Sequence, residues 1–99
     1  MILSDRVAVI TAAGSGIGRA AAIAMAREGA VVFVTDRDGK AAEETARLAG
    51  DTARPAALDV TDGDRVAAFI AEVYERHGRL DILHNHAGLQ VAGSLEEID

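Results

Sequence analysis

The sequence predicts an α/β fold, a partial doubly wound parallel sheet in the order β-α-β-α-β-α-β plus the start of a further helix. Three observations predict it. Short β-branched apolar runs alternate with helical segments of about 12 residues, the pattern of βαβ units whose right-handed crossovers bring successive strands side by side. Those runs are apolar at nearly every position, as strands buried on both faces require. A glycine cluster, Gly14, Gly16 and Gly18, stands between the first run and the first helix. The 99 residues allow one small domain, and no repeat, low-complexity tract or linker divides them.

The first strand is read over residues 6–11, from Arg6 to Thr11, and it ends in the glycine cluster. The first helix opens at Ile17, with Ile17, Ala20, Ala21 and Ala24 at helical spacing and Gly29 closing it. Residues 30–36 repeat the buried-strand signature and finish at Asp36. Asp38 then caps a helix carrying Ala42, Ala46 and Ala49, with a Glu43 to Arg47 pair four residues apart on its wet side. Residues 54–59 read as a weak strand whose Pro55 suits an edge or a strand start. Thr61 is expected to cap the third helix, whose stripe is Val66, Phe69, Ile70 and Val73, with Glu72 and Arg76 toward solvent and Gly78 at its end. A fourth strand spans residues 80–87. Past Gly88 and Gly93, the Ser94 to Glu97 spacing is that of a capping box opening another helix.

Composition narrows the chemistry. At 49 % hydrophobic and 26 % charged the chain should fold, and its longest apolar run is far short of the roughly 18–20 residues that cross a bilayer. No signal-peptide pattern opens it, so a cytoplasmic address is the expectation. The absence of cysteine excludes disulfides, thiolate nucleophiles and cysteine metal sites. A formal charge of −6, with ten basic residues scattered among acids, argues against nucleic acid as a partner. Aromatic residues make up only 3 %, so the core must come from Val, Ile, Leu and many alanines.

Three glycines within five positions need a cause. Glycine has no Cβ, so it takes positive φ and lets main chain approach a ligand. The helix N-terminus beyond it offers N–H groups and partial positive charge. A diphosphate suits that place. Counted from Gly16, the run is also G-x-G-x-x-A ending at Ala21, the small-residue spacing of a dinucleotide turn. The plain alternative is a tight turn that binds nothing. Asp36 follows Gly18 by eighteen residues, near the spacing of about 20 at which an acid accepts the hydroxyls of an adenosine ribose. A carboxylate there favours NAD over NADP, a preference the adjacent Arg37 would soften if it turned inward. Asp59 ends the third strand on the same rim.

These segments resemble the short-chain dehydrogenase/reductase family, NAD(P)-dependent oxidoreductases of doubly wound, Rossmann-like fold, and most of the chain takes part. The family's T-G-x-x-x-G-x-G is matched from Thr11 through Gly14, Ser15 and Gly16 to Ile17 and Gly18, with Asp36 in the NAD-type position. Leu58-Asp59-Val60-Thr61 is similar to the segment whose Asp contacts adenine, and Asn85-His86-Ala87-Gly88 to the N-N-A-G motif that lines the cofactor floor. The resemblance therefore implies cofactor contacts at Thr11, Gly14, Ser15, Gly16, Ile17, Gly18, Asp36, Arg37, Asp59, Val60, Asn85, Ala87 and Gly88.

Two positions depart from the pattern. Ala12 replaces the first glycine, where a methyl tightens the turn or shifts the diphosphate, and His86 replaces the second Asn. His84 and His86 share one strand face, but without a third ligand nearby they are read as structural and no metal is assigned.

In the family a Tyr of a Y-x-x-x-K pair moves the proton, its pKa lowered by the Lys, and a Ser steadies the substrate oxygen. Here Tyr74 has Gly78 four positions on, the sole lysine is Lys40, and the serines are Ser4, Ser15 and Ser94. No catalytic residue is assigned. The chain is expected to be the dinucleotide-binding part, residues 1–99, of an oxidoreductase interconverting alcohols and carbonyls, ending before the catalytic segment and silent alone. A small-molecule substrate then belongs to a longer form. The alternatives are a nucleotide-binding sensor or interaction module, a remnant that binds nothing, and, fitting the glycine spacing less well, a methyltransferase. With its fourth strand as an open edge, the chain is expected to self-associate.

Overall fold

The computed structural model describes residues 3–14 and 16–84. Within them run β1 (Val7–Ile10), α1 (Gly16–Arg27), β2 (Val31–Asp36), α2 (Gly39–Ala49), β3 (Ala53–Ala57), α3 (Gly63–His77) and β4 (Ile82–His84). The strands are parallel, in the order β3-β2-β1-β4. This is the expected Rossmann-like arrangement. Pro55 lies in β3 at one edge of the sheet, where a missing N–H costs no internal ladder bond. No described helix is long and apolar enough to cross a membrane.

Strand side chains alternate between faces, and the two faces are packed differently. Ala8, Ile10, Val32 and Val34 meet Ala22 and Ala26 of α1 and Ala42 and Ala46 of α2, so these two helices press nearly bare backbone against the sheet. On the other face, Val7 and Val9 meet Val66, Ile70 and Val73 of α3. Each Val or Ile buried there contributes roughly 1.5–3 kcal/mol. Phe69 packs edge-on against Phe33, ring centroids 5.9 Å apart, and closes this second layer.

Several local expectations are corrected. The buried stripe of α1 is Gly18, Ala22 and Ala26; Ala20 and Ala24 are exposed, and Ile17 is 73 % exposed. Alanine surrounds this helix, so periodicity could not say which side faces the sheet. On α2 the partner of Arg47 is Glu44, three residues back, not Glu43. The third strand begins and ends earlier than residues 54–59, because Asp59 accepts the Thr61 N–H at 2.9 Å and bends the chain away. Asp62, not Thr61, caps α3 by accepting the Arg65 N–H, while the Thr61 hydroxyl is spent on Asp59. The first strand is shorter at both ends than residues 6–11 and the fourth begins later than residue 80. The helix expected from Ser94 and strand residues 85–87 lie outside the described residues.

Asp81 fastens β4 to β1. Its carboxylate accepts the Val7 N–H at 2.8 Å, Nε and Nη2 of Arg79 at 2.8 Å each, and Nη1 of Arg6 at 3.3 Å, while its own N–H donates to the Val7 carbonyl. The Arg79 hydrogen bonds, opposed by partial burial and aided by the Val7 N–H, hold the carboxyl down at about 2.

Two expected outcomes follow. The Asp81 contribution is complete above the carboxyl's unfolded value of about 4 and is lost as pH falls through about 2. In urea titrations, wild type should therefore lose about 1–2 kcal/mol more than Asp81→Asn between pH 6 and pH 2. Ala12 sits at φ 52°, a left-handed conformation that costs a Cβ-bearing residue on the order of 1 kcal/mol. Ala12→Gly should raise the melting temperature by several degrees; a decrease would show that the methyl stabilises the turn.

Candidate functional site at the carboxyl ends of the strands

Chain direction across the sheet reverses between β1 and β4, since β1 connects to β2 on one side and receives β4 on the other. Doubly wound sheets bind ligands outside the carboxyl ends of the strands at such a point. The turn from β1 to α1 lies there, and its glycines are required for three different reasons. A Cβ on Gly18 would overlap the carbonyl oxygen of Ala12, so only glycine lets α1 lie against the end of β1. Gly16 has open space around it but φ +58°, so its constraint is conformational. A Cβ on Gly14 would stand 2.5 Å from Cβ of Ala41 and 2.7 Å from Oδ2 of Asp36, so this residue is wedged between α2 and the end of β2.

Hydrogen bonds hold the wedge. The Gly14 N–H donates to Oδ2 of Asp36 at 2.8 Å, and the Asp38 N–H to Oδ1 at 2.9 Å. One residue earlier, the Ala13 N–H donates to the carbonyl of Thr35, whose hydroxyl donates to the Ile10 carbonyl at 2.7 Å. Both backbone and side chain thus tie the glycine turn to the end of β2. The N–H groups in the first turn of α1 have no acceptor within the helix and carry its partial positive charge outward.

Beside the turn lies a hollow of about 360 Å³, lined by Ala12, Asp36, Arg37, Leu58, Asp59, Val60 and Thr61. Ligand pockets run from roughly 300 to 1,000 Å³, so it suits a ring-and-sugar fragment. Leu58 and Val60 supply apolar wall; Asp36 and Asp59 supply carboxylates. The Asp59 carboxyl is held below the usual range, first by the Thr61 hydroxyl, then by the Thr61 N–H, with a weaker contribution from the Arg37 charge. It is an anion at neutral pH.

The structure brings Asp36, Arg37, Asp59 and Val60 together on this hollow and sets Gly14, bonded to Asp36, and Gly18, against Ala12, beside it, with Gly16 between them in the same turn. Ile17 is exposed on the first turn of α1, and Thr11 is buried beneath the turn at 2 % exposure. Ser15, Asn85, His86, Ala87 and Gly88 lie outside the described residues. Sequence reasoning missed Arg19, whose guanidinium reaches both Gly14 and α2, and Thr45, its partner there. A basic residue one place after the last glycine was the only available signal. Thr61 was assigned a cap and instead braces Asp59.

A family model described as short chain dehydrogenase matches residues 6–99. Among the similar curated proteins is meso-2,3-butanediol dehydrogenase of Serratia marcescens, 41 % identical over 98 residues that make up 98 % of this chain and 39 % of that protein. The chain spans 16 to 43 % of the length of the curated relatives it matches. A metagenomic short-chain oxidoreductase in complex with NADP superimposes with a TM-score of 0.84 at 39 % identity, over 90 % of this chain and 42 % of that one. The 3-ketoacyl-(acyl-carrier-protein) reductase of Brucella melitensis, complexed with NADH, does so with a TM-score of 0.74 at 40 % identity, over 82 % and 33 %. Fold, glycine turn and matched length agree: the chain belongs to the short-chain dehydrogenase/reductase family.

Proposed function

We propose that residues 1–99 form the nicotinamide-dinucleotide-binding part of an oxidoreductase. The observation that carries this reading is the turn itself: three glycines under three separate constraints hold the start of α1 against the end of β1, with the Asp36 carboxylate and an open hollow alongside. The donors and acceptors fit the group. Gly14, whose N–H is held by Asp36, shapes the turn, and the amides that follow it, Ser15, Gly16, Ile17 and Gly18, are proposed for the diphosphate; Asp36 suits the adenosine ribose; Asp59 and Val60, with Leu58, suit the adenine. Thr11 supports the turn from below, and Asn85, Ala87 and Gly88 are proposed for the nicotinamide side. When bound, the dinucleotide supplies or accepts the hydride that interconverts an alcohol and a carbonyl.

NAD is the proposed cofactor in preference to NADP. The anionic Asp36 would face the extra phosphate of NADP, a repulsion on the order of 1–4 kcal/mol at close range. Arg37, exposed on the hollow's wall, opposes part of it. Among solved relatives one is complexed with NADH and another with NADP, so the discrimination rests on these two side chains. Proton transfer is assigned to no residue of this chain, and the small-molecule substrate to the whole protein. Because β4 is an edge of the described sheet, copies of the chain are further proposed to associate along it.

Asp36→Asn keeps one acceptor oxygen for the Gly14 N–H but loses the charge. Calorimetry should show NAD binding weakened about tenfold with NADP unchanged or tighter. Equal losses for both would remove Asp36 from the ribose role, and a wild-type chain that binds neither would overturn the function. Sedimentation should find a concentration-dependent average mass; a monomer at all concentrations would refute the association.

A further inference from the structure

Gly14 is gripped on both sides, through the peptide unit before it and the one after it. Its N–H donates to Asp36, and its carbonyl accepts Nη2 of Arg19 at 2.6 Å. The same guanidinium donates through Nε to the hydroxyl of Thr45 at 2.8 Å. Thr45 is fully buried in α2, so the guanidinium is anchored to a rigid element and is not a swinging surface charge. Arg19 itself is half-buried, and its charge is felt as far as Glu44, whose carboxyl it helps to lower behind the larger effect of Arg47. The chain of contacts Asp36, Gly14, Arg19, Thr45 therefore links the end of β2, the glycine turn, α1 and α2.

A carbonyl shares one rigid plane with the N–H of the next residue, so holding the Gly14 carbonyl sets the tilt of the peptide unit that leads on from Gly14. With the Gly14 carbonyl drawn to Arg19, it is kept from turning toward the first turn of α1, where its negative end would oppose an anion. Gly14 and Gly16 have the freedom to let such a rotation occur. Without the guanidinium, the Gly14 carbonyl would be free to turn toward the place proposed for the diphosphate.

We propose that Arg19 is a positioning residue for the dinucleotide diphosphate, acting through the Gly14 carbonyl and held in place by Thr45. This rests on the dinucleotide reading of the site. Its effect falls mainly on the diphosphate, because neither Arg19 nor Thr45 lines the hollow for adenosine and Asp36, which does, keeps its second oxygen on Asp38.

The test uses the 99-residue chain with two probes, ADP-ribose, which carries the diphosphate, and adenosine, which does not. Arg19→Met keeps the apolar stem and removes the donors. Calorimetry should show ADP-ribose bound about tenfold more weakly, while adenosine, followed by NMR shifts at Val60 and Thr61, titrates as in wild type. Thr45→Val, which leaves the Gly14 contact but unanchors the guanidinium, should give a smaller loss in the same direction, and Arg19→Lys should restore part of it. Undiminished ADP-ribose binding in Arg19→Met would overturn the proposal. So would equal losses for both probes in Arg19→Met and Thr45→Val, the signature of a purely structural role. A wild-type chain that binds neither probe would instead bring down the dinucleotide reading, and the proposal with it.

Discussion

Everything at the proposed binding end depends on how closely α1 can approach β1. A helix whose first turn is to face a ligand across the sheet end must lie directly on the strand that precedes it, and at Gly18 the carbonyl of Ala12 occupies the space a side chain would need. That single absence of a Cβ places the amides of the turn at the switch point. With even one methyl there, α1 would have to lift, Ala22 and Ala26 would leave the sheet, and the Gly14 wedge would open. Close-packed interiors do not absorb such a shift locally.

The two faces of the sheet serve this approach in different ways. Alanines on α1 and α2 bring helix backbones near the strands, which is what allows Arg19 of one helix to reach Thr45 of the other and Gly14 of the turn with a single side chain. The α3 face carries the bulk, in Val66, Ile70, Val73 and the Phe33–Phe69 pair. It holds the sheet from the side opposite α1 and α2, and through Leu58 and Val60 it reaches the wall of the hollow. Asp81, between two arginines and the Val7 N–H, performs the equivalent service for β4. Among the described residues of the turn, Ala12 is the one Cβ-bearing residue in left-handed conformation, where the family pattern has glycine.

Asp36 illustrates why a site residue can be legible while its full role is not. Its place at the end of a buried strand and its distance from the glycines are linear properties, readable by counting. That its two oxygens also hold Gly14 and Asp38 is a consequence of how the strand end meets the turn. The acid is thus both a ribose candidate and a brace for the glycine turn. The contacts of Arg19 are not readable by counting, for the complementary reason. Its partners stand five residues back and twenty-six residues on, and no spacing rule connects a helix arginine to a threonine on the next helix.

By itself the sequence determined the alternation of strands and helices, the glycine turn, the acid after the second strand, and Pro55 at an edge. These follow from local rules: strand and helix periods, the φ freedom of glycine, and the missing N–H of proline. Tertiary structure alone decided which side of the alanine-covered α1 faces the sheet, which glutamate pairs with Arg47, that Asp62 and not Thr61 caps α3, and that one guanidinium locks the turn. Each of those is a choice among locally equivalent neighbours. Packing resolves them, because only in the folded chain do the alternatives differ in what they touch.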